Sequence, residues 1–298
     1  MSDSAAVRRF RDAAVSVSLA GPAVLLFVVM LVIPIGLSGY LSLTNWDGYS
    51  ANPDVVGLAN YVKAFSSPEV AQAAFVTIVL AVAGTTLLNL LGLGLALLLS
   101  RPTGLNRLLR LVFFYPHVLS ALVIGFLWAA ILGTNGALNS LLAERGSQTL
   151  PFLSDPTWAL VSLVAVVVWS GFGVNLVLYL AGLQSVPTEL VEAARIDGAR
   201  SGQVFRDVTL PVLRPTITVN LVLSLVILLK TYDVVVSLTG GGPAGRTQTA
   251  AYLILADSFS NNQLGFGSAQ AVILMVVTAL LALSVMGLRS RSDLAAFR

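Results

Sequence analysis

The chain has 298 residues, of which 56% are hydrophobic and only 10% are charged, and its mean hydropathy is +0.88. A soluble domain carries about 25% charged residues, so this composition indicates an integral membrane protein. The absence of cysteine excludes disulfides and thiolate catalysis, and the single histidine, His117, cannot form a zinc site alone.

Apolar runs without charge recur along the chain, and a helix needs about 20 such residues to cross a bilayer. We predict six membrane-spanning helices. Five lie in the charge-free runs 13–46, 70–100, 111–143, 156–188 and 258–288, and one more, at 216–238, is apolar except for Lys230 and Asp233.

The first run follows Arg8, Arg9 and Arg11, as the core of a signal peptide would. It is too long for such a core, and no clear small-residue cleavage site follows it. We therefore expect a retained first span, kinked by Pro22 or Pro34.

Lysine and arginine are unevenly divided between alternate loops. Thirteen lie at the two termini and in the loops at 101–110 and 195–214, three lie in the intervening loops, and Lys230 lies within a span. Because cytoplasmic loops are enriched in Lys and Arg, we expect both termini to be cytoplasmic. The predicted domains are a cytoplasmic N-terminal segment at 1–12, a transmembrane domain at 13–288 and a cytoplasmic tail at 289–298.

The segment 186–215 is polar although charge-free runs flank it. Pro187 followed by Glu189 is typical of a helix start, and Gly198 allows a turn at little steric cost. Ser201 is suited to cap a second short helix. These features predict a helix-turn-helix hairpin outside the bilayer, although composition alone also fits a solvated loop without a partner.

The same segment resembles the EAA loop of ABC importer permeases, whose pattern is Glu-Ala-Ala, three residues, Gly, nine residues, Ile, one residue and Leu-Pro. "EAARIDGARSGQVFRDVTLP" matches these spacings, with Val208 in the place of Ile. In that family the loop is a coupling helix that docks in a cleft of an ATPase subunit. The resemblance implies an ATPase-coupling role for Glu192, Ala193, Ala194, Asp197, Gly198, Leu210 and Pro211.

Other segments are similar to the carbohydrate-uptake type of these permeases, and in particular to the larger maltose-importer permease without its extra N-terminal spans. They are "GLANYVKAF", which is also typical of a short amphipathic helix, then "GALNSLL", "KTYD" and "LTGGGPAGRTQT", in that order along the chain. The resemblance implies an all-α membrane protein with the type I ABC importer permease fold, six transmembrane helices and a cytoplasmic coupling-helix hairpin.

The implied function is that of a permease subunit of an ATP-driven importer in the bacterial inner membrane. It would form the path for a sugar, a disaccharide or oligosaccharide, delivered by an extracellular or periplasmic binding protein. The implied partners are a second permease subunit in a heterodimer and two ATPase subunits, with no cofactor and no nucleic acid. The chain itself is not expected to be an enzyme, because Lys63 and Lys230 follow Val and Leu rather than the Gly of a P-loop.

Two alternatives stay open. Glycerol-3-phosphate or a polyol is an alternative cargo, since a phosphate group calls for Arg or Lys in the cavity and Lys230 is available. A membrane scaffold that recruits a cytoplasmic partner without transport is an alternative of another class. A secondary transporter is disfavoured, because Asp233 is the only carboxylate in a predicted span.

Polar and aromatic residues at helical spacing are candidates for the substrate path, because sugars need hydrogen-bond partners and an apolar platform. Lys230 and Asp233 are three residues apart, so we expect them on one helix face. A local ion pair between them explains two charges within a span as well as a role in the substrate path does. Interhelical packing is the more common role for any single member of these stripes. The candidates are Trp169, Phe172, Asn175, Tyr179, Asn220, Ser224, Thr231, Lys230 and Asp233.

Several further positions have more local interpretations. A tight turn is predicted at Gly240, Gly241, Gly242 and Pro243. The resemblance implies that this turn contacts the binding protein. A turn that merely connects two helices would use the same residues. His117, beside Pro116, is expected to be a satisfied structural histidine. Close helix packing is predicted at Gly84, Gly92, Gly94 and Ala96.

Overall fold

The computed structural model describes residues 20–296, with side chains from residue 20 to residue 287. The predicted N-terminal segment 1–12, the beginning of the first span at 13–19 and the last two residues of the predicted tail lie outside the described residues. The described secondary structure is helical, apart from one isolated antiparallel bridge between Thr44 and Val55. In chain order the helices are α1 (Ala20–Leu41), α2 (Ala59–Ser66), α3 (Pro68–Leu98), α4 (Gly104–Val118), α5 (Ala121–Leu132), α6 (Ala137–Glu144), α7 (Pro156–Gln184), α8 (Thr188–Ile196), α9 (Ser201–Leu229), α10 (Asp233–Leu238), α11 (Ala250–Ser260) and α12 (Leu264–Ala296).

Six segments of the described chain are helical, long and apolar enough to cross a bilayer, which confirms the predicted number. They are α1, α3, α5 continued through α6, α7, α9 and the part of α12 that ends at Gly287. Sequence hydropathy finds them because every residue of a span contributes to the same local signal.

One predicted boundary was wrong, at the end of the fifth span. The third span begins at Ala121, inside the predicted run 111–143, because α4 ends at Val118 and the next two residues are extended. Pro116 in the last turn of α4 has no N–H for the helix ladder, which favours an end at this point. The fifth span ends at Leu229 rather than near residue 238, since the backbone leaves the helix at Lys230.

Helix starts follow their local sequence. The side chains of Ser67, Thr103 and Asp155 accept hydrogen bonds from backbone N–H groups in the first turns of α3, α4 and α7. In α1, a five-residue π-helical turn, Val28–Val32, ends two residues before Pro34. The missing N–H of Pro34 interrupts the ladder there, and a kink at Pro22 or Pro34 stays a prediction.

The described residues form two units, one of residues 20–64 and 256–273 and one of residues 65–255 and 274–296. In the first unit, the Asn60 amide donates to the carbonyls of Ser42 and Thr44, and the Lys63 ammonium lies 3.9 Å from the centre of the Phe266 ring. Helix α2 confirms the short helix predicted at "GLANYVKAF".

A turn in the first unit holds an ionised carboxylate. Asp47 accepts hydrogen bonds from the N–H groups of Ser50 and Tyr49 and from the Ser50 hydroxyl. These bonds, led by the Ser50 N–H, lower the pKa of Asp47 to about 2. Since the pKa is lowered in the folded chain, the turn is favoured at every pH above the unfolded value of about 3.9 and loses this contribution only as the pH falls through about 2.

In the second unit, α3, α7 and α9 pack closely around a core that includes Leu80, Leu163 and Leu228. Small residues make the approach possible. A Cβ at Gly92 would lie 2.6 Å from Cβ of Asn175, and one at Gly84 would lie 2.8 Å from a methyl group of Leu228. The predicted packing role is therefore confirmed for these two glycines, whereas it is wrong for Gly94, which faces open space.

The contrast between Gly92 and Gly94 gives a first prediction. We expect Gly92→Ala to destabilise the protein by about 1–3 kcal/mol, because the new methyl group forces α3 and α7 apart. Gly94→Ala should leave stability unchanged or raise it by up to about 1 kcal/mol, through better helix propensity. The measurement is the thermal unfolding of the two purified variants in one detergent. Equal melting temperatures would contradict the close approach at Gly92.

Candidate functional site

The predicted hairpin at 186–215 has its expected first arm. Helix α8 follows Pro187, carries Glu189 in its first turn and ends at Asp197. Gly198 has φ +81°, a conformation that side chains other than glycine rarely adopt, and the chain reverses there. The predictions of a helix start at Pro187 and of a turn at Gly198 are confirmed.

The second arm differs from the prediction. Arg200, rather than Ser201, occupies the N-cap position, and its N–H donates to Oε1 of Gln203. The arm is also not a separate helix, because it continues through a π-helical turn, Phe205–Thr209, to the end of α9. Pro211 has no N–H to donate to the preceding turn, and the π turn absorbs this break without ending the helix.

The hairpin exposes apolar side chains. No residue of α8 is buried, and the side chains of Leu190 and Ile196 are 50% and 86% exposed. A Cβ at Gly198 would meet no atom within 4 Å. Exposed large apolar side chains on a polar helix are available for contact with a partner, and Glu192, Ala193, Ala194 and Asp197 lie on the same helix or at its end.

A cavity of about 360 Å³ lies in the second unit, beside the interruption between α9 and α10. Its wall is mostly apolar and carries a few polar groups. Six of the nine predicted path residues line it, namely Asn175, Asn220, Ser224, Lys230, Thr231 and Asp233.

Lys230 and Asp233 do not lie on one helix face, so this expectation was wrong. Lys230 is the C-cap of α9, and α10 begins only at Asp233. Among the described side chains the two form no ion pair, and both are exposed to the cavity. Within the interruption, the Thr231 carbonyl accepts a hydrogen bond from the hydroxyl of Thr249, 18 residues further along the chain. Spacing within the span carries no information about that contact.

Three polar side chains meet on the wall formed by α7 and α9. The Asn175 amide donates to the Ser224 hydroxyl across a distance of 2.9 Å. The Asn220 amide donates to the Thr216 carbonyl of its own helix, but its Oδ1 is buried and has no hydrogen-bond partner in the part of the chain that the structure describes. A buried acceptor left unpaired costs about 1–3 kcal/mol, and here it stands at the wall of a cavity.

The other three predicted path residues do not line the cavity. Trp169 packs edge-on against Trp128 with ring centres 5.3 Å apart, and Phe172 packs against Phe113 at 5.9 Å. Tyr179, only 1% exposed, shares a 2.6 Å hydrogen bond with Oδ1 of Asn89 on α3. These contacts join neighbouring helices.

The cavity also contains residues that sequence reasoning did not assign to it. His117, Ser170 and Tyr232 line the wall. Ser170 lies five residues before Asn175 on α7, so a search for small polar residues along that helix would have found it. Nothing in the sequence around His117 indicates the cavity, because α4 reaches it only through tertiary packing. In the described part of the chain no group of three His, Cys, Asp or Glu residues is placed to hold a metal.

A loop that we call the glycine loop, residues 239–249, joins α10 to α11. The predicted turn is confirmed, since Gly240 and Gly241 have positive φ values and the Gly242 N–H donates to the Thr239 carbonyl. The Gly242–Pro243 peptide is cis.

Comparison with known proteins matches residues 88–292 to a family described as "Binding-protein-dependent transport system inner membrane component". A probable starch degradation products transport system permease protein, AmyD of Thermoanaerobacterium thermosulfurigenes, is 32% identical over 260 residues, which are 87% of this chain and 88% of the relative. The sn-glycerol-3-phosphate transport system permease protein UgpA of Agrobacterium fabrum is 34% identical over 267 residues, covering 87% and 89% of the two chains.

A solved structure shares the fold. It is a chain of a bacterial alginate ABC transporter in complex with an alginate pentasaccharide-bound periplasmic protein. The TM-score is 0.83 over 96% of this chain and 97% of that one, at 21% identity. The fold is therefore that of an ABC transporter permease, as the resemblance implied.

Proposed function

The chain belongs to the family of binding-protein-dependent transport system inner membrane components, and on this premise we propose that it forms the translocation path for a sugar, a disaccharide or oligosaccharide. The observation that carries the proposal is the cavity beside the α9–α10 interruption. Its few polar groups among apolar walls suit a ligand with many hydroxyl groups, because such sites fix orientation with a small number of hydrogen bonds.

The hairpin supports coupling to a motor subunit. The exposed Leu190 and Ile196 offer apolar contact to a partner, and the open space around Gly198 allows another surface to approach the turn. We infer that Glu192, Ala193, Ala194, Asp197 and Gly198 contact an ATPase subunit, while Leu210 and Pro211 shape the helix that leads back to the cavity.

The complete importer we propose contains a second permease subunit, two ATPase subunits and an extracellular or periplasmic binding protein. The relatives are transport permease subunits, and we assign no covalent step to this chain, since ATP hydrolysis belongs to the ATPase subunits. No cofactor and no nucleic acid takes part.

We place the hairpin and both termini on the cytoplasmic side of a bacterial inner membrane, because thirteen of the seventeen basic residues fall on that side of the predicted topology. The transmembrane domain at 13–288, with the coupling loop at 186–215, then lies between the cytoplasmic segment 1–12 and the tail 289–298. The glycine loop, including Gly240, Gly241, Gly242 and Pro243, lies on the outer side and contacts the binding protein.

Glycerol-3-phosphate is the second candidate cargo, favoured by the Lys230 ammonium in the cavity and by a relative named for its transport. Asp233 in the same cavity disfavours an anion by charge repulsion. The two cargoes therefore predict different effects of removing each charge.

The experiment is uptake into proteoliposomes that contain the complex of this chain with its co-encoded neighbours and binding protein. For a neutral sugar, we expect Lys230→Met and Asp233→Leu each to raise KM by about tenfold, as the loss of about 1.4 kcal/mol of binding requires. For glycerol-3-phosphate, Lys230→Met alone should abolish uptake and Asp233→Leu should improve it. Unchanged kinetics in the double variant would remove both residues from the path. The scaffold alternative is a separate outcome, since it predicts no uptake by wild type.

A further inference from the structure

The glycine loop is joined to the cavity wall by two contacts that the proposed function does not use. The wall segment concerned is the non-helical stretch between α9 and α10, Lys230–Tyr232, which we call the unwound segment. All three of its residues line the cavity.

The first contact is a hydrogen bond from a buried threonine. Thr249 has no exposed surface, and its hydroxyl donates to the Thr231 carbonyl across a distance of 2.7 Å. Thr231 lies between α9 and α10, so its carbonyl is outside the hydrogen-bond ladders of both helices. Thr249 supplies a donor to this carbonyl and thereby anchors the unwound segment.

The second contact is made by Tyr252 on α11. Its ring lies 6.2 Å from the ring of Tyr232, which lines the cavity, and its hydroxyl donates to the Gly240 carbonyl across 2.8 Å. One side chain therefore touches both the loop and the wall.

The loop between these contacts is braced from inside. The Thr247 hydroxyl donates to the Gly242 carbonyl and also pairs with the hydroxyl of Thr239. The C-terminal end of the loop is fixed to α3, where the Ala250 N–H donates to the hydroxyl of Thr77. Because the loop has bonded side chains along its length, a displacement of its tip is carried to Thr249 and Tyr252 rather than absorbed within the loop.

We propose that Thr249 and Tyr252 are positioning residues that couple the glycine loop to the unwound segment, so that docking of the binding protein on the loop rearranges Thr231 and Tyr232 in the cavity. The proposal rests on the proposed function, because it takes the loop as the docking site and the cavity as the sugar path. Neither residue lines the cavity, and both act through the groups that they hold.

The test measures ATPase activity of the complete complex in lipid nanodiscs against the concentration of the co-encoded binding protein. The binding protein is loaded from a defined mixture of maltose, trehalose and maltotriose, and stimulation is expressed relative to the basal rate of each variant. The variants are Thr249→Val, which keeps the shape and loses the donor, Thr249→Ser, which keeps the donor, and Tyr252→Phe.

We expect Thr249→Val and Tyr252→Phe to lower maximal stimulation by about three- to tenfold, the factor that corresponds to one buried hydrogen bond, at an unchanged half-stimulating concentration. Thr249→Ser should retain wild-type stimulation. A higher half-stimulating concentration with full maximal stimulation would mean that the two residues only shape the docking surface, and this would overturn the proposal. Loss of assembly in Thr249→Val and Thr249→Ser alike would overturn it in favour of a purely structural role.

A second readout does not depend on the cargo. The chain has no native cysteine, so a single Lys230→Cys reports on the unwound segment through its rate of reaction with a maleimide. We expect Thr249→Val to change this rate by about three- to tenfold, while Thr249→Ser leaves it unchanged. If wild type shows no stimulation, the proposed function fails. The labelling rates then decide, without any transport assay, whether Thr249 controls the unwound segment. Equal labelling rates in all backgrounds would refute it.

Discussion

Gly198→Asp is expected to uncouple the importer while leaving the permease folded. At φ +81° an aspartate costs about 1 kcal/mol of backbone strain relative to glycine, which a membrane protein of this size tolerates. A Cβ at this position would meet no atom of the described residues within 4 Å. A new carboxylate at the turn therefore acts on whatever docks there, and we expect stimulated ATPase activity to fall by at least about tenfold, the effect of 1.4 kcal/mol on an equilibrium.

Gly146→Asp is the matched control. Gly146 also has a positive φ, of +69°, and a Cβ there would also meet nothing within 4 Å, but it lies between α6 and α7, away from the hairpin. The two variants are compared by melting temperature, by the amount of ATPase subunit that co-purifies and by stimulated ATPase activity. We expect similar melting temperatures and a loss of coupling in Gly198→Asp alone. Equal coupling in both variants would remove the hairpin from the motor interface.

Asn220→Leu is expected to lower transport and to leave stability equal or higher. Leucine has a similar volume and removes Oδ1, the buried acceptor that has no partner among the described residues. Loss of an unpaired polar atom gains up to about 1–3 kcal/mol of stability. If this oxygen accepts a substrate hydroxyl, its loss should raise KM for uptake by about tenfold or more.

Asn89→Leu provides the contrast, since Oδ1 of Asn89 pairs with the Tyr179 hydroxyl. That variant removes a buried hydrogen bond between α3 and α7, so stability should fall by about 0.5–1.5 kcal/mol and uptake should fall with it. Thermal unfolding and uptake kinetics of both variants separate the two roles. A parallel loss of stability and transport in Asn220→Leu would assign this residue to packing.

Local chemistry explains which parts of the site the sequence predicted. The turn at Gly198 follows from one residue that tolerates positive φ, and the start of α8 follows from Pro187 and Glu189. The six spans follow from apolar runs, which can be recognised in the sequence without knowledge of tertiary contacts. In each case, the residues that determine a structural feature lie within that feature or a few residues from it.

Tertiary contacts explain the rest. Asn175 and Tyr179 lie one helical turn apart on α7, yet Asn175 bonds Ser224 at the cavity and Tyr179 bonds Asn89 on another helix. Their shared spacing could not distinguish these neighbours. The Thr231 carbonyl, just beyond the end of α9, is paired with the hydroxyl of the distant Thr249, and His117 reaches the cavity only because α4 packs beside α7.

The second arm of the hairpin and part of the cavity wall belong to one helix, α9. A movement of one end of this helix therefore displaces the other end. Its 29 residues extend about 43 Å at about 1.5 Å per residue. A tilt of about 10° around the Leu229 end displaces the Ser201 end by about 7 Å, by the same geometry. The π turn at Phe205–Thr209 lies between the Ser201 end and the cavity residues Asn220 and Ser224, so a displacement of the Ser201 end reaches the cavity wall only through this turn.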